Sequence, residues 1–93
     1  MQKLKKTDKM AYQVNFTRAA IHALKKIPEP YYSAIKEAII NLAENPRPIG
    51  YKKLKNIEGY RIRVNNYRVI YDIFDNILTI EIVAIGHRKN IYR

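Results

Sequence analysis

The stretch YRIRVNNYRVIYDIF, residues 60–74, constrains this chain more than any other. Two runs rich in β-branched and aromatic residues flank Asn65-Asn66, a pair that tolerates positive φ and so suits a two-residue hairpin loop of type I′. Such a loop sets the register. Val64 faces Tyr67, Arg63 faces Arg68, Ile62 faces Val69, Arg61 faces Ile70 and Tyr60 faces Tyr71. Side chains alternate between the two faces of a strand. Tyr60, Ile62, Val64, Tyr67, Val69, Tyr71 and Ile73 therefore make the expected core face, and Arg61, Arg63 and Arg68 share the other face with Ile70 and Asp72.

That second face works against the sheet. Directly opposed residues hold their Cβ atoms ~4.5–5.5 Å apart, and like charges placed so are destabilising. Two charges ~4 Å apart repel by about 1 kcal/mol in water and by roughly 4 kcal/mol at an effective dielectric of 20. A sheet with only a structural role would set an arginine against a glutamate. Arginine at all three positions, in preference to lysine, favours planar, bidentate binding of phosphate. The face reads as an anion site completed by a ligand, against the plainer reading of a solvated polar face.

Asp75-Asn76 resembles a second two-residue turn, which predicts a strand over 77–85 with Phe74 facing Ile77. Ile80, Ile82 and Ala84 then join the core face. Glu81 lies opposite Ile70 and Val83 opposite Arg68. Gly86 ends the strand and leaves the tail HRKNIYR. Upstream, AYQVNF (11–16) alternates as a strand. Thr17 suits the N-cap of a helix over 18–27, with Ile21, Leu24 and Ile27 at helical spacing. Pro28 stops it. Pro30 suits the start of a helix over 31–45, whose stripe is Tyr31, Ile35, Ala38, Ile39 and Leu42. Residues 46–59, punctuated by Pro46, Pro48, Gly50 and Gly59, read as a loop. The expected fold class is α+β. Its order is β-α-α-β-β-β, with two N-terminal helices on one face of an antiparallel sheet and a short C-terminal tail or helix.

Ninety-three residues make one domain, expected over 10–93 behind a flexible basic tail at 1–9, with Met10 an alternative start. The absence of cysteine excludes a disulfide scaffold, a thiol nucleophile and a cysteine zinc site, and fits a reducing cytoplasm. No apolar run approaches the ~18 residues of a membrane span. Eighteen basic residues against eight acidic ones give a formal charge of +10, which calls for an anionic partner: nucleic acid, an acidic protein or a membrane surface. Nine of the basic side chains lie between Lys52 and Arg93, with four acids.

Other sites are weak. Two histidines without cysteine make a metal centre improbable. His22 reads as a surface residue. His87 reads either as a surface residue or as a group at the rim of the arginine face, for proton transfer or RNA contact. Three scattered glycines form no phosphate loop, and Ser33 is the only serine. Lys52, Lys53, Lys55 and Lys89 are candidate RNA contacts. Tyr92, in the polar tail, can stack on a base or touch a reacting hydroxyl.

With YRIRV, YRVIYDI and GHRKNIY in one short chain, residues 10–93 resemble the RelE/ParE superfamily of toxins from toxin–antitoxin pairs. The resemblance implies a ribosome-dependent mRNA endonuclease that acts in the A site without metal or other cofactor and is restrained by an acidic antitoxin. It assigns catalytic positions to Arg61, Arg63, Arg68, Arg88 and Tyr92. Relatives of the best-known type carry lysines at the positions of Arg61 and Arg63. Arginine cannot give up its proton, so a base is left to Tyr92, His87 or a loop lysine, or to positioning of the 2′-hydroxyl alone. Two alternatives stand beside this reading: a ParE-like toxin that poisons DNA gyrase, and a non-catalytic module that binds RNA or antitoxin.

Overall fold

A computed structural model describes residues 11–87. The elements are β1 (Gln13–Phe16), α1 (Arg18–Lys25), α2 (Tyr31–Glu44), β2 (Lys52–Lys53), β3 (Tyr60–Val64), β4 (Tyr67–Phe74) and β5 (Thr79–His87). The five strands form one sheet in the order β1-β5-β4-β3-β2. Both helices pack on one face of it. Ala20 of α1 and Ile35, Ile39 and Leu42 of α2 meet Ile62, Val69, Tyr71, Ile80, Ile82 and Ile85 in a single core. Among the described residues no helix is long and apolar enough to cross a membrane. The expected tail at 1–9 lies outside the described residues.

The hairpin register is as the sequence predicts, from Tyr60 opposite Tyr71 to Val64 opposite Tyr67. Of the two loop residues only Asn65 takes a positive φ, 59°, so the loop is not the type I′ turn expected. The sheet is mixed instead of antiparallel, because β1 lies parallel to β5, with Val14 beside Ile80 and Phe16 beside Ile82. The first helix stops at Lys25, two residues short of the expected end. The loop 46–59 contains a two-residue edge strand, Lys52 pairing with Arg61 and Lys53 with Tyr60.

The largest corrections concern β5. The turn after β4 is longer than two residues. A 3-10 turn over Asp75–Ile77 is closed by Leu78 in the left-handed region, φ 46° and ψ 53°. Phe74 accordingly faces Thr79, Tyr71 faces Ile82, and Glu81 faces Asp72 and not Ile70. A bulge between Ile70 and Tyr71 on β4 then absorbs Val83, so Ile70 faces Ala84, Val69 faces Ile85, Arg68 faces Gly86 and Tyr67 faces His87. Beyond the bulge every side chain changes face. Ala84 leaves the core face and Ile85 takes its place, 5% exposed. Gly86 does not end the strand, which runs on to His87.

Thr17 holds this irregularity from outside the strand. Its hydroxyl accepts from the Ala20 N–H at 3.1 Å, capping α1, and donates to the Val83 carbonyl at 2.8 Å. Its own N–H donates to the Ile82 carbonyl at 3.0 Å. Thr17→Ala removes the cap and one bond to the bulge. A loss of about 1–2 kcal/mol in denaturant unfolding is expected, largely restored by Thr17→Ser. Leu78 offers the opposite case. A residue with a Cβ held in the left-handed region costs about 1–2 kcal/mol, and Leu78 is 39% exposed, so it recovers little by burial. Leu78→Gly is expected to raise stability by up to about 1 kcal/mol, read as a higher melting temperature.

Candidate nucleic-acid interface

With both helices on one side of the sheet, the opposite side carries no helix among the described residues. Arg61 and Arg63 reach that outer face from β3 and Arg68 from β4, Arg63 directly opposite Arg68. The pairing of Lys52 with Arg61 adds a fourth cation from β2. A second like-charge pair thus lies beside the first. Strands are spaced ~4.8 Å apart, so the four cations span about 10 Å across the sheet. Arg63 is exposed, whereas Arg61 and Arg68 are half-buried. Between them Ile70 is only 8% exposed, although it points away from the helices. Half-buried guanidinium groups beside an apolar residue are screened less by salt than fully solvated ones.

The same face is acidic at its other end. Asp72 lies opposite Glu81, and Glu81 lies beside Asn15 of β1. The sequence reading missed this carboxylate pair because it placed Glu81 two positions away. A phosphate chain is attracted to the β2–β3–β4 end and repelled from the β5–β1 end. The field across this face is therefore directional, favourable to an anion at one end and unfavourable at the other.

The structure brings together four of the residues singled out from sequence: Lys52, Arg61, Arg63 and Arg68. It separates two others. Lys53 pairs with Tyr60 and points to the helix side, where its ammonium sits 5.4 Å above the Tyr60 ring. His87 pairs with Tyr67 on that same side, the rings 5.8 Å apart edge to face, and so is not at the rim of the arginine face. Lys55 is an exposed loop residue between β2 and β3. Arg88, Lys89 and Tyr92 lie outside the described residues.

A polar staple supports the basic end. Arg47 and Asp75 form a salt bridge of 2.9 Å, and the Tyr12 hydroxyl donates to Asp75 at 2.6 Å. The Arg47 guanidinium, followed by the Tyr12 hydroxyl, holds the Asp75 carboxyl below its ordinary value. Tyr71 is fully buried and its hydroxyl donates to the Pro46 carbonyl at 2.6 Å. These contacts tie the loop before β2 to the far end of β4.

The protein family described as "ParE toxin of type II toxin-antitoxin system, parDE" matches residues 14–92. The chain belongs to this ParE toxin family. Within the wider RelE/ParE group, it is 34% identical over 86 residues to Toxin RelG of Mycobacterium tuberculosis, covering 90% of this chain and 99% of RelG. It is 25% identical over 83 residues to the mRNA interferase toxin RelE of Escherichia coli, covering 86% of each. Its fold superposes on the RelE–RelB complex of Pyrococcus horikoshii with a TM-score of 0.76 at 26% identity, over 87% of this chain and 99% of that one. The helix pair on a mixed five-stranded sheet is thus the RelE architecture.

Proposed function

We propose that this protein is the toxin of a type II toxin–antitoxin pair and that it cuts messenger RNA on the ribosome. The observation that carries the reading is the opposed pair Arg63–Arg68, flanked by Arg61 and Lys52 on a face that carries no helix among the described residues. In a chain of this family, that face suits an RNA phosphate. The name of the E. coli relative, an mRNA interferase, supports the same activity.

In the proposed reaction the 2′-oxygen of one nucleotide attacks the adjacent phosphorus and the bond to the next 5′-oxygen breaks. The 2′-hydroxyl proton passes to a base, and the departing 5′-oxygen takes up a proton. The products are a 2′,3′-cyclic phosphate and a 5′-hydroxyl. Arg61, Arg63 and Arg68 orient the phosphate and neutralise the charge that grows on its free oxygens. With guanidinium groups in that role the reaction requires no metal. Arg88 and Tyr92 complete the site by resemblance, Arg88 as a further phosphate ligand and Tyr92 at the reacting hydroxyl. His87 points to the helix side at its strand position, which leaves Tyr92, the loop lysine Lys52 or positioning of the hydroxyl as the source of activation.

The partner is an acidic antitoxin. RelE is seen with RelB in the Pyrococcus complex. Here an open apolar groove of about 300 Å³ runs between β1 and the helices, lined by Val14, Phe16, Leu24, Ile39 and Ile40 with Lys36 beside them. Ile40 is 58% exposed there, an apolar surface suited to a protein partner.

Brief induction followed by mapping of message 5′ ends tests the reading. Cuts within translated messages, with 5′-hydroxyl ends, are expected. The family's ParE name favours a second reading, gyrase inhibition. Intact messages with DNA damage would decide for it.

A further inference from the structure

The strand β2 is two residues long, and one of its two pairings is unfavourable. The Leu54 N–H donates to the Gly59 carbonyl at 3.0 Å, so Lys52 and Arg61, two residues along each strand, are the next hydrogen-bonded pair of the ladder. Their side chains leave the same face, and like charges opposed in this way destabilise a pairing. Among the described residues no carboxylate forms an ion pair with either cation. On the helix side the Tyr60 ring meets the Lys53 ammonium and the Tyr51 ring, which favours docking. An edge strand this short still has few ladder bonds to set against the repulsion, and its departure would take Lys52 off the arginine face.

The chain that enters β2 is fastened elsewhere. Arg47 sets two guanidinium nitrogens on the two carboxylate oxygens of Asp75, at 2.9 and 3.4 Å, and the Tyr12 hydroxyl donates to the same carboxylate. Asp75 belongs to the turn between β4 and β5, so its place is set by strands that do not include β2. From Arg47 the chain reaches Lys52 through a turn closed by the Tyr51 N–H on the Pro48 carbonyl at 3.0 Å. An exposed ion pair standing alone adds little to stability. This one is bidentate, shares its carboxylate with a third donor and joins segments remote in sequence, which fixes the approach to β2.

We propose that Arg47 and Asp75 are positioning residues, whose ion pair keeps β2 docked on the sheet and so holds Lys52 on the arginine face against the repulsion of Arg61. This deepens the reading of that face as the site of the scissile phosphate, and its effect on cleavage rests on that reading. The staple and the repulsion oppose each other across β2. Removing the staple lets the repulsion undock the strand, and removing the repulsion makes the staple dispensable. Neither Arg47 nor Asp75 touches the substrate; both act through Lys52.

The test combines amide hydrogen exchange on the purified full chain with cleavage of messages on programmed ribosomes. Asp75→Asn keeps an acceptor for Tyr12 and removes the ion pair. Exchange at Lys52, Leu54 and Arg61 is expected to rise about fivefold or more in this variant, while Ile62, paired with β4, keeps its protection. Arg47→Gln should do the same, and both changes together no more than either alone. Adding Lys52→Gln to Asp75→Asn should return Leu54 and Arg61 to near the wild-type rate. Asp75→Asn should lower kcat/KM about fivefold in the otherwise wild-type chain and leave it unchanged in the Lys52→Gln background. Unchanged exchange in Asp75→Asn, or raised exchange that persists when Lys52→Gln is added, would overturn the proposal. So would cleavage losses that add in the double variant, because the staple would then act elsewhere. Absence of cleavage by wild type would instead count against the proposed reaction, and the exchange pattern decides the staple independently of it.

Discussion

Arg63→Gln is expected to lower the rate of message cleavage by about 100-fold or more while the melting temperature holds or rises. The two effects have one origin. Arg68 lies opposite Arg63, and both point to the same face. Removing a donor aimed at a phosphate whose charge grows in the transition state costs about 10²–10³ in rate. Removing one of two like charges held across a sheet relieves repulsion. Glutamine keeps most of the aliphatic stem, so packing near Ile70 is largely preserved. If the repulsion relieved is worth about 1 kcal/mol, the melting temperature rises by about 4–8 °C for a domain of this size. A merely structural arginine gives the opposite signs: stability falls and cleavage is unchanged. Ribosome-programmed cleavage, with a thermal melt of the same samples, separates the cases. Retained antitoxin binding shows that the fold is intact.

Tyr71 carries the largest expected effect on stability. It is 0% exposed and joins the core cluster to the loop before β2 through the bond to Pro46. Tyr71→Ala empties a large buried site and is expected to cost about 3–5 kcal/mol, enough to unfold much of the protein. Tyr71→Phe keeps the ring and leaves the buried Pro46 carbonyl without its donor, at about 1–3 kcal/mol. The pH dependence follows from the same burial, which pushes the Tyr71 phenol well above its ordinary value of 10.0. The unfolded chain's tyrosine loses its proton near pH ~10 while the folded one keeps it. The stabilisation is therefore complete below about pH 10 and is lost as pH rises through the folded value. Urea unfolding of wild type should weaken above pH 10, and Tyr71→Phe should show less of that weakening.

The arginine face was legible because its geometry is local. A two-residue loop at Asn65-Asn66 and strict alternation suffice to oppose Arg63 and Arg68. The β4–β5 connection was not, because Leu78 gives no sign that it will take the left-handed conformation. The resulting slip is two residues long, so the faces of Ile80 and Ile82 were still predicted correctly. The bulge at Val83 shifts by one, and there the prediction for Ala84 failed. Nothing in IVAIG requires a bulge; its carbonyl is held by Thr17, distant in sequence. The direction of β1 and the pairing of β2 are likewise tertiary outcomes. Lys52 and Lys53 look equivalent in a loop and become opposites once they pair with β3.

The bulge at Val83 also makes this part of β5 sensitive to counting. Many apolar residues can fill positions 82–85 with modest effect, whereas the insertion of one more would rotate everything after it by half a turn of the pleat. Arg68 would lose Gly86 as its neighbour and a side chain meant for the helices would stand among the cations. Variation among relatives here should thus be free in chemistry and limited in length: substitutions between Glu81 and Gly86 are expected, as is loss of the one extra residue, whereas insertions are not. The spacing acts as a ratchet tooth, one residue deep, that sets the phase in which the end of the sheet reaches the site.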